Sequence, residues 1–246
     1  MKPHQSQYWL NTEPDPAALA KIVDITALYQ AAPDLAKQGE CVLSTDEMTG
    51  VQALERKHPT LPMGPGRPER REFEYIRHGT QTLIANFRVA DGVVVAPTIQ
   101  ATRTEEDFVA HIAQTVASDP AVVRWHFVVD NLNTHQSESL VQFVAQLSGV
   151  TEDLGKKEKV GILKSMSTRA AFLADPAHKV VFHYTPKHAS WMNQIEVWFS
   201  ILTRKVLRRG NFSSTQDLKD KLLAFIDYFN RTMARPFKWT YRPLSS

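Results

Sequence analysis

The sequence predicts an α/β fold, a mixed sheet flanked by helices. Two β-prone runs joined by an Asp-Gly turn at 91–92 announce a hairpin. After it, helical and strand-like stretches alternate, and no internal repeat or domain-scale linker interrupts them. With 246 residues, 43% hydrophobic and 22% charged, the chain can fill one good core.

Each element has its own signal. Residues 15–30 carry apolar side chains at helical spacing, predicting an N-terminal helix. GECVLSTDE at 39–47 is a short apolar run ending in acids, a strand. The stretch 56–72, rich in Pro, Gly and charge, predicts a long surface loop. The hairpin occupies 81–100, and 104–118 follows as an amphipathic helix with Thr104 as N-cap and Asp107 at N3. A strand at 122–130 and a helix at 136–147 continue the alternation. The stretch 148–178 holds a charged patch, EDLGKKEK, and a helix around 163–174. KVVFHYTP at 179–186 reads as a buried strand stopped by proline. Apolar residues at 191, 195, 198, 199, 202 and 206 predict a helix over 191–207, and a last helix fills 214–231 before the tail RPFKWTYRPL.

Composition narrows the function classes. No apolar run approaches the roughly 18–20 residues that span a bilayer, and the N-terminus lacks a secretory h-region. One cysteine, Cys41, allows neither an internal disulfide nor a multi-cysteine zinc site, so a cytoplasmic protein is expected. Net charge is only +3, but from Glu196 onward ten Lys/Arg face four Asp/Glu, with the run RKVLRR at 204–209. A basic surface there suits a polyanion such as DNA.

Three acids stand where strands meet ligands. Asp46 ends the first strand, Asp130 ends the strand HFVVD, and Glu196 lies in the first turns of the helix after the last strand. Singly, a strand-terminal Asp is more often a turn former or cap. Converging, three carboxylates repel and call for a hard cation with oxygen ligands. Glu196 falls inside the apolar stripe, so a partner is expected for it, and Asn193 on the same side would orient it.

These words have a familiar grouping. The segments STDEMTGVQALERKHPTLP, GRPERREFEYIRHGTQTLIANF, VVDNLNTH, YTPKHASWMNQIEVWFSILTRKVLRRGNF and FIDYFNRT…RPFKWTY cover most of the chain from about residue 40. Together they resemble the catalytic domain of DDE transposases of the mariner-like superfamily, in the branch carried by bacterial insertion sequences. The resemblance implies a ribonuclease H-like fold and an Asp-Asp-Glu site of Asp46, Asp130 and Glu196 holding two Mg²⁺ or Mn²⁺ ions. It implies DNA cleavage at element ends and strand transfer into double-stranded target DNA, by a homodimer. The DNA contacts expected are His135, for which a hydrogen bond at the start of the next helix is the first reading, His188, Asn193, Arg204, Lys205, Arg208 and Arg209, with Arg67, Arg70 and Arg71 as a second choice. Trp191 is expected as a core anchor that could also stack on a base.

The chain departs from that family twice. Asp130 and Glu196 are 66 positions apart, and the excess maps to an insertion at about 148–178, where Glu152, Asp153, Glu158 and Asp175 are rival third acids. Residues 1–38 form a helical lead-in to a catalytic domain at 39–246, too short for the family's helix-turn-helix modules. Either those modules are expected from a separate or frameshifted reading frame, or the chain is a truncated relic. Two rival readings stay open: a catalytically idle DNA-binding or dimerising remnant that regulates a complete transposase, and a ribonuclease H-like nuclease outside transposition.

Overall fold

The computed structural model describes residues 16–187 and 189–241. Expectations for the first fifteen residues and for His188 fall outside that range. Helix α1 (Pro16–Lys37) leads into a five-stranded sheet built from β1 (Glu40–Arg56), β2 (Tyr75–Arg88), β3 (Val94–Gln100), β4 (Arg124–Val129) and a late strand. Helix α2 (Glu105–Ala117) joins β3 to β4, and α3 (Glu138–Leu147) follows β4. A two-stranded ribbon, β5 (Gly155–Lys156) with β6 (Val160–Gly161), then precedes α4 (Met166–Leu173) and the late strand β7 (Val180–Tyr184). Helices α5 (Ile195–Lys205) and α6 (Thr215–Thr232) close the chain. The sheet order is β3-β2-β1-β4-β7. The hairpin side pairs antiparallel, whereas β1–β4 and β4–β7 are parallel. The mixed sheet is therefore as the sequence predicted.

Alternating side chains explain the three layers. On β1, Leu43 faces one core and Val42 the other; on β4, Phe127 and Val129 oppose Val128 in the same way. The first face packs on α2, α3 and α4. The second packs partly on α1, through Ile25, Leu28 and Tyr29, and partly on α5 and α6, where Trp198 is fully buried. Thr104 caps α2 and Asp107 returns the bond, the reciprocal pair the sequence indicated.

Three elements differ from expectation. β1 does not stop at 47: its parallel pairing with β4 ends at Ser44–Val128, but pairing with β2 carries it to Arg56 past a bulge beside Gly50. The segment 148–178, which as an insertion could enlarge a DNA or dimer contact or simply sit on the surface, packs into the core: Leu163 and Leu173 are buried there and the buried Arg169 donates to the Gln136 and Leu163 carbonyls at 2.5 and 3.1 Å. The helix foreseen at 191–207 is broken. Ser190–Met192 makes a single 3₁₀ turn, Asn193 is extended, and α5 begins only at Ile195.

Candidate active site

The parallel pairing of β1 with β4 stops at one edge of the sheet, where β4 ends and β1 runs on beside β2 alone. Two residues beyond the Ser44–Val128 pair come Asp46 on β1 and Asp130 just after β4. Adjacent strands lie about 4.8 Å apart, so the backbone brings both acids to one place. Asp46 accepts the Glu47 N–H at 2.7 Å, and Asp130 accepts the Leu132 N–H at 2.9 Å. Burial, together with the charges of Asp130 and Glu196, pushes the Asp46 carboxyl up to about 7.

Because β1 alternates, its edge has two polar faces. Ser44 and Asp46 turn toward α5, whereas Thr45 and Glu47 turn toward α2 and α3. On the first face Ser44 Oγ donates to Asn193 Oδ1 and accepts the Ile195 N–H at 2.9 Å. Asn193 Nδ2 donates to the Thr45 carbonyl at 3.0 Å and reaches Asp46 Oδ2 at 3.4 Å. The first N–H of α5 is thus capped by a serine from β1, since the residue at its own N-cap, Gln194, makes no side-chain cap. This clamp sets Glu196, in the first turn of α5, beside the strand edge.

On the second face His135 is fully buried. Its Nδ1 lies 2.8 Å from Asp130 Oδ1 and its Nε2 3.3 Å from Glu47 Oε1. Burial works against charge on this ring, but the two carboxylates prevail and hold the imidazolium up to about 9. In turn, although burial opposes it, the His135 bond and charge keep Asp130 below the usual carboxylate range. Beneath Thr45, a buried network of Asn86, His111, Thr98 and Thr115 fixes the strand from below.

Several site residues are placed differently from expectation. Asn193 and His135 are not at the surface as DNA contacts; each is buried and holds an acid in position. Glu196 is not embedded in the apolar face. It is exposed, its side chain without a hydrogen bond or ion pair among the described residues. Arg204, Lys205, Arg208 and Arg209 are all exposed and line one open cavity of about 470 Å³. Arg67 and Arg70 are exposed in the loop after β1, and Arg71 is paired with Glu69 at 2.7 Å. Among the described residues no three His, Cys, Asp or Glu side chains gather as a ready metal-binding group. The donors at the edge are nonetheless hard oxygens: Asp46 is an acid burdened by two neighbouring charges, and Glu196 is unconstrained. That donor chemistry fits Mg²⁺ or Mn²⁺.

Sequence reading missed Glu47, Ser44 and Gln194. Glu47 was visible as the second acid of the TDE triplet, but its bond to His135 spans 88 positions.

A sequence model described as DDE superfamily endonuclease matches residues 42–219, a span that includes all three acids. Among solved structures, the catalytic domain of Mos1 mariner transposase is similar with a TM-score of 0.50 and 8% identity, covering 91% of this chain and 90% of that one. The Mos1 mariner paired end complex with Mn is similar at 0.47 and 11%, covering 92% of this chain and 61% of that chain. A pre-cleavage Mos1 transpososome gives 0.46 and 11%, with the same coverage. The chain thus spans about three-fifths of those longer transposase chains. The shared architecture is the ribonuclease H-like fold. No curated protein matches the sequence.

Proposed function

The chain belongs to the DDE superfamily endonucleases, and from that premise we propose that it is a transposase catalytic domain. It cuts DNA at the ends of a mobile element and joins them to target DNA. The observation carrying this reading is the meeting of Asp46 and Asp130 where the β1–β4 pairing ends, with α5 clamped alongside so that the Glu196 charge acts on Asp46. Asp46, Asp130 and Glu196 would hold two Mg²⁺ or Mn²⁺ ions. Such ions supply activation of the attacking oxygen and stabilisation of the leaving one in phosphoryl transfer. Asn193 fixes the α5 acid relative to β1, and His135 keeps Asp130 ionised and oriented. The exposed cations of 204–209 grip phosphates.

The substrate is double-stranded DNA, and the active assembly is a homodimer acting in the bacterial cytoplasm at the nucleoid. Residues 39–246 form the catalytic domain, with an insertion at about 148–178. Among the described residues no helix is long and apolar enough to cross a membrane.

Mn²⁺-dependent nicking and strand transfer on labelled DNA, comparing the parent with Asp130→Asn, tests the reading. Activity in the parent and at least a hundredfold loss in the variant is the expected result. A parent inactive even with long DNA and Mn²⁺ would instead leave the idle, DNA-binding form.

A further inference from the structure

Beside Glu196 lies a cavity of about 560 Å³ that the proposed chemistry does not use. It is lined by Trp191, Gln194, Val197, Lys238, Trp239 and Tyr241. Gln194 and Val197 bracket Glu196 in sequence, so the cavity opens within the same turn of α5 as the acid. Its other wall is the C-terminal segment, anchored by Phe237 stacked on Phe87 (4.5 Å between rings) and by Trp239 edge-on to Tyr29 (5.0 Å).

Two features point to a ligand. The first is aromatic: Trp191 lies parallel to Trp239 with centroids 6.4 Å apart, and Tyr241 packs on it at 4.9 Å. Yet Trp191 is 49% exposed, a large flat surface left open to solvent. The second is polar. Gln194 is 1% exposed, but neither its carbonyl oxygen nor its amide nitrogen has a hydrogen-bond partner among the described residues. Trp239 Nε1 is buried and unpartnered as well. Buried polar groups are nearly always satisfied, and an orphaned amide costs about 1–3 kcal/mol. Gln194 is also excused from capping α5, because Ser44 does that.

We propose that this cavity takes a single unpaired nucleobase of the DNA strand being processed, stacked on Trp191 and read along its edge by the Gln194 amide. An amide offers one donor and one acceptor side by side, the complement of a base edge such as the N6/N7 side of adenine. Lys238 at the rim and the cations further along α5 favour the phosphates that accompany a base over an aromatic peptide. Trp191, half exposed, is the ring that turns to admit the base to Gln194. An enzyme acting on a strand within a duplex gains access by drawing nucleotides out of the stack, and a stacking pocket offsets that cost. This inference rests on the chain acting on DNA, but it concerns binding and not cleavage.

The test is equilibrium binding in EDTA to duplexes with a short 3′ single strand. Each position of that strand carries in turn adenine, 2-aminopurine or an abasic residue. At one position the abasic residue should weaken binding by the parent roughly 5- to 100-fold, the worth of one base on an aromatic ring, with a matching change in 2-aminopurine emission. Trp191→Ala should bind adenine-bearing DNA as weakly as the parent binds abasic DNA, and gain no further loss from the abasic residue. Gln194→Leu should lose roughly 5-fold on adenine and nothing on abasic DNA. The idea is overturned if the parent ignores abasic residues at every position or does not bind these duplexes. It is equally overturned if Trp191→Ala, checked as folded by its melting profile, weakens base-bearing and abasic DNA alike. Nicking is read separately with Mn²⁺, so failure of the pocket and failure of the catalytic reading give different results.

Discussion

Asn193 carries more of the site than any acid does. Its one amide serves Ser44, Thr45 and Asp46, three consecutive residues of β1, while its own carbonyl accepts the Glu196 N–H at 3.1 Å. Asn193→Ala would leave the Thr45 carbonyl and the Ser44 hydroxyl buried without their partner. An expected loss of about 1–3 kcal/mol follows, measurable by urea unfolding, and Glu196 would lose its fixed approach to the strand edge. A variant as stable as the parent would show that water replaces the amide. Below the strand, His111 is sealed in the same polar layer, and burial lowers its imidazole to about 3. An unfolded chain takes up that proton near 6.5. Between those values the unfolded state binds one more proton, so stability must fall as pH falls from 6.5 toward 3. His111→Gln should remove one proton from the pH slope of unfolding free energy in that window. An unchanged slope would mean the ring is charged when folded.

At the scale of elements, what the sequence made legible was whatever depends on neighbours along the chain. The hairpin, the capped α2 and the buried strands all announce themselves by local spacing and turn chemistry. Asp46 and Asp130 were also readable, since an apolar strand running into an acid is a local pattern. The start of α5 was not. Its apolar stripe extends back to Trp191, and periodicity alone predicts one helix from there. The break comes from Asn193, whose side chain binds Ser44 and Thr45 nearly 150 positions away. Those long-range bonds outweigh a local preference and turn Trp191 out of the helix into the aromatic cavity. The exposure of Glu196 has a local cause: α5 buries Ile195, Trp198, Phe199 and Leu202 as the stripe predicted, and Glu196, one residue past Ile195, points off that face. β1 ran past its expected end for a similar reason: β2 supplies a partner after β4 has stopped.

For the molecule as a whole, charge is arranged along one helix. Glu196 opens α5 and Arg204 and Lys205 end it, roughly 12 Å further along at about 1.5 Å per residue, with Arg208 and Arg209 just beyond. A strand whose scissile phosphate sits at the acids would therefore pass other phosphates over these cations. The net charge of +3 is too small to hold DNA by its overall field, so affinity should depend on this local cluster. Each phosphate neutralised contributes about 0.9 to the slope of log affinity against log salt. Replacing Arg204 and Arg208 by Gln should flatten that slope by about 2 if both touch phosphate, and weaken all DNA sequences alike. Titrations at several salt concentrations, with Lys219→Gln on α6 as the comparison, would decide it. An unchanged slope in the double variant would move the DNA path off α5, toward the arginines of the loop after β1. If the slope flattens, one helix carries the third acid at its start and the phosphate grip at its end.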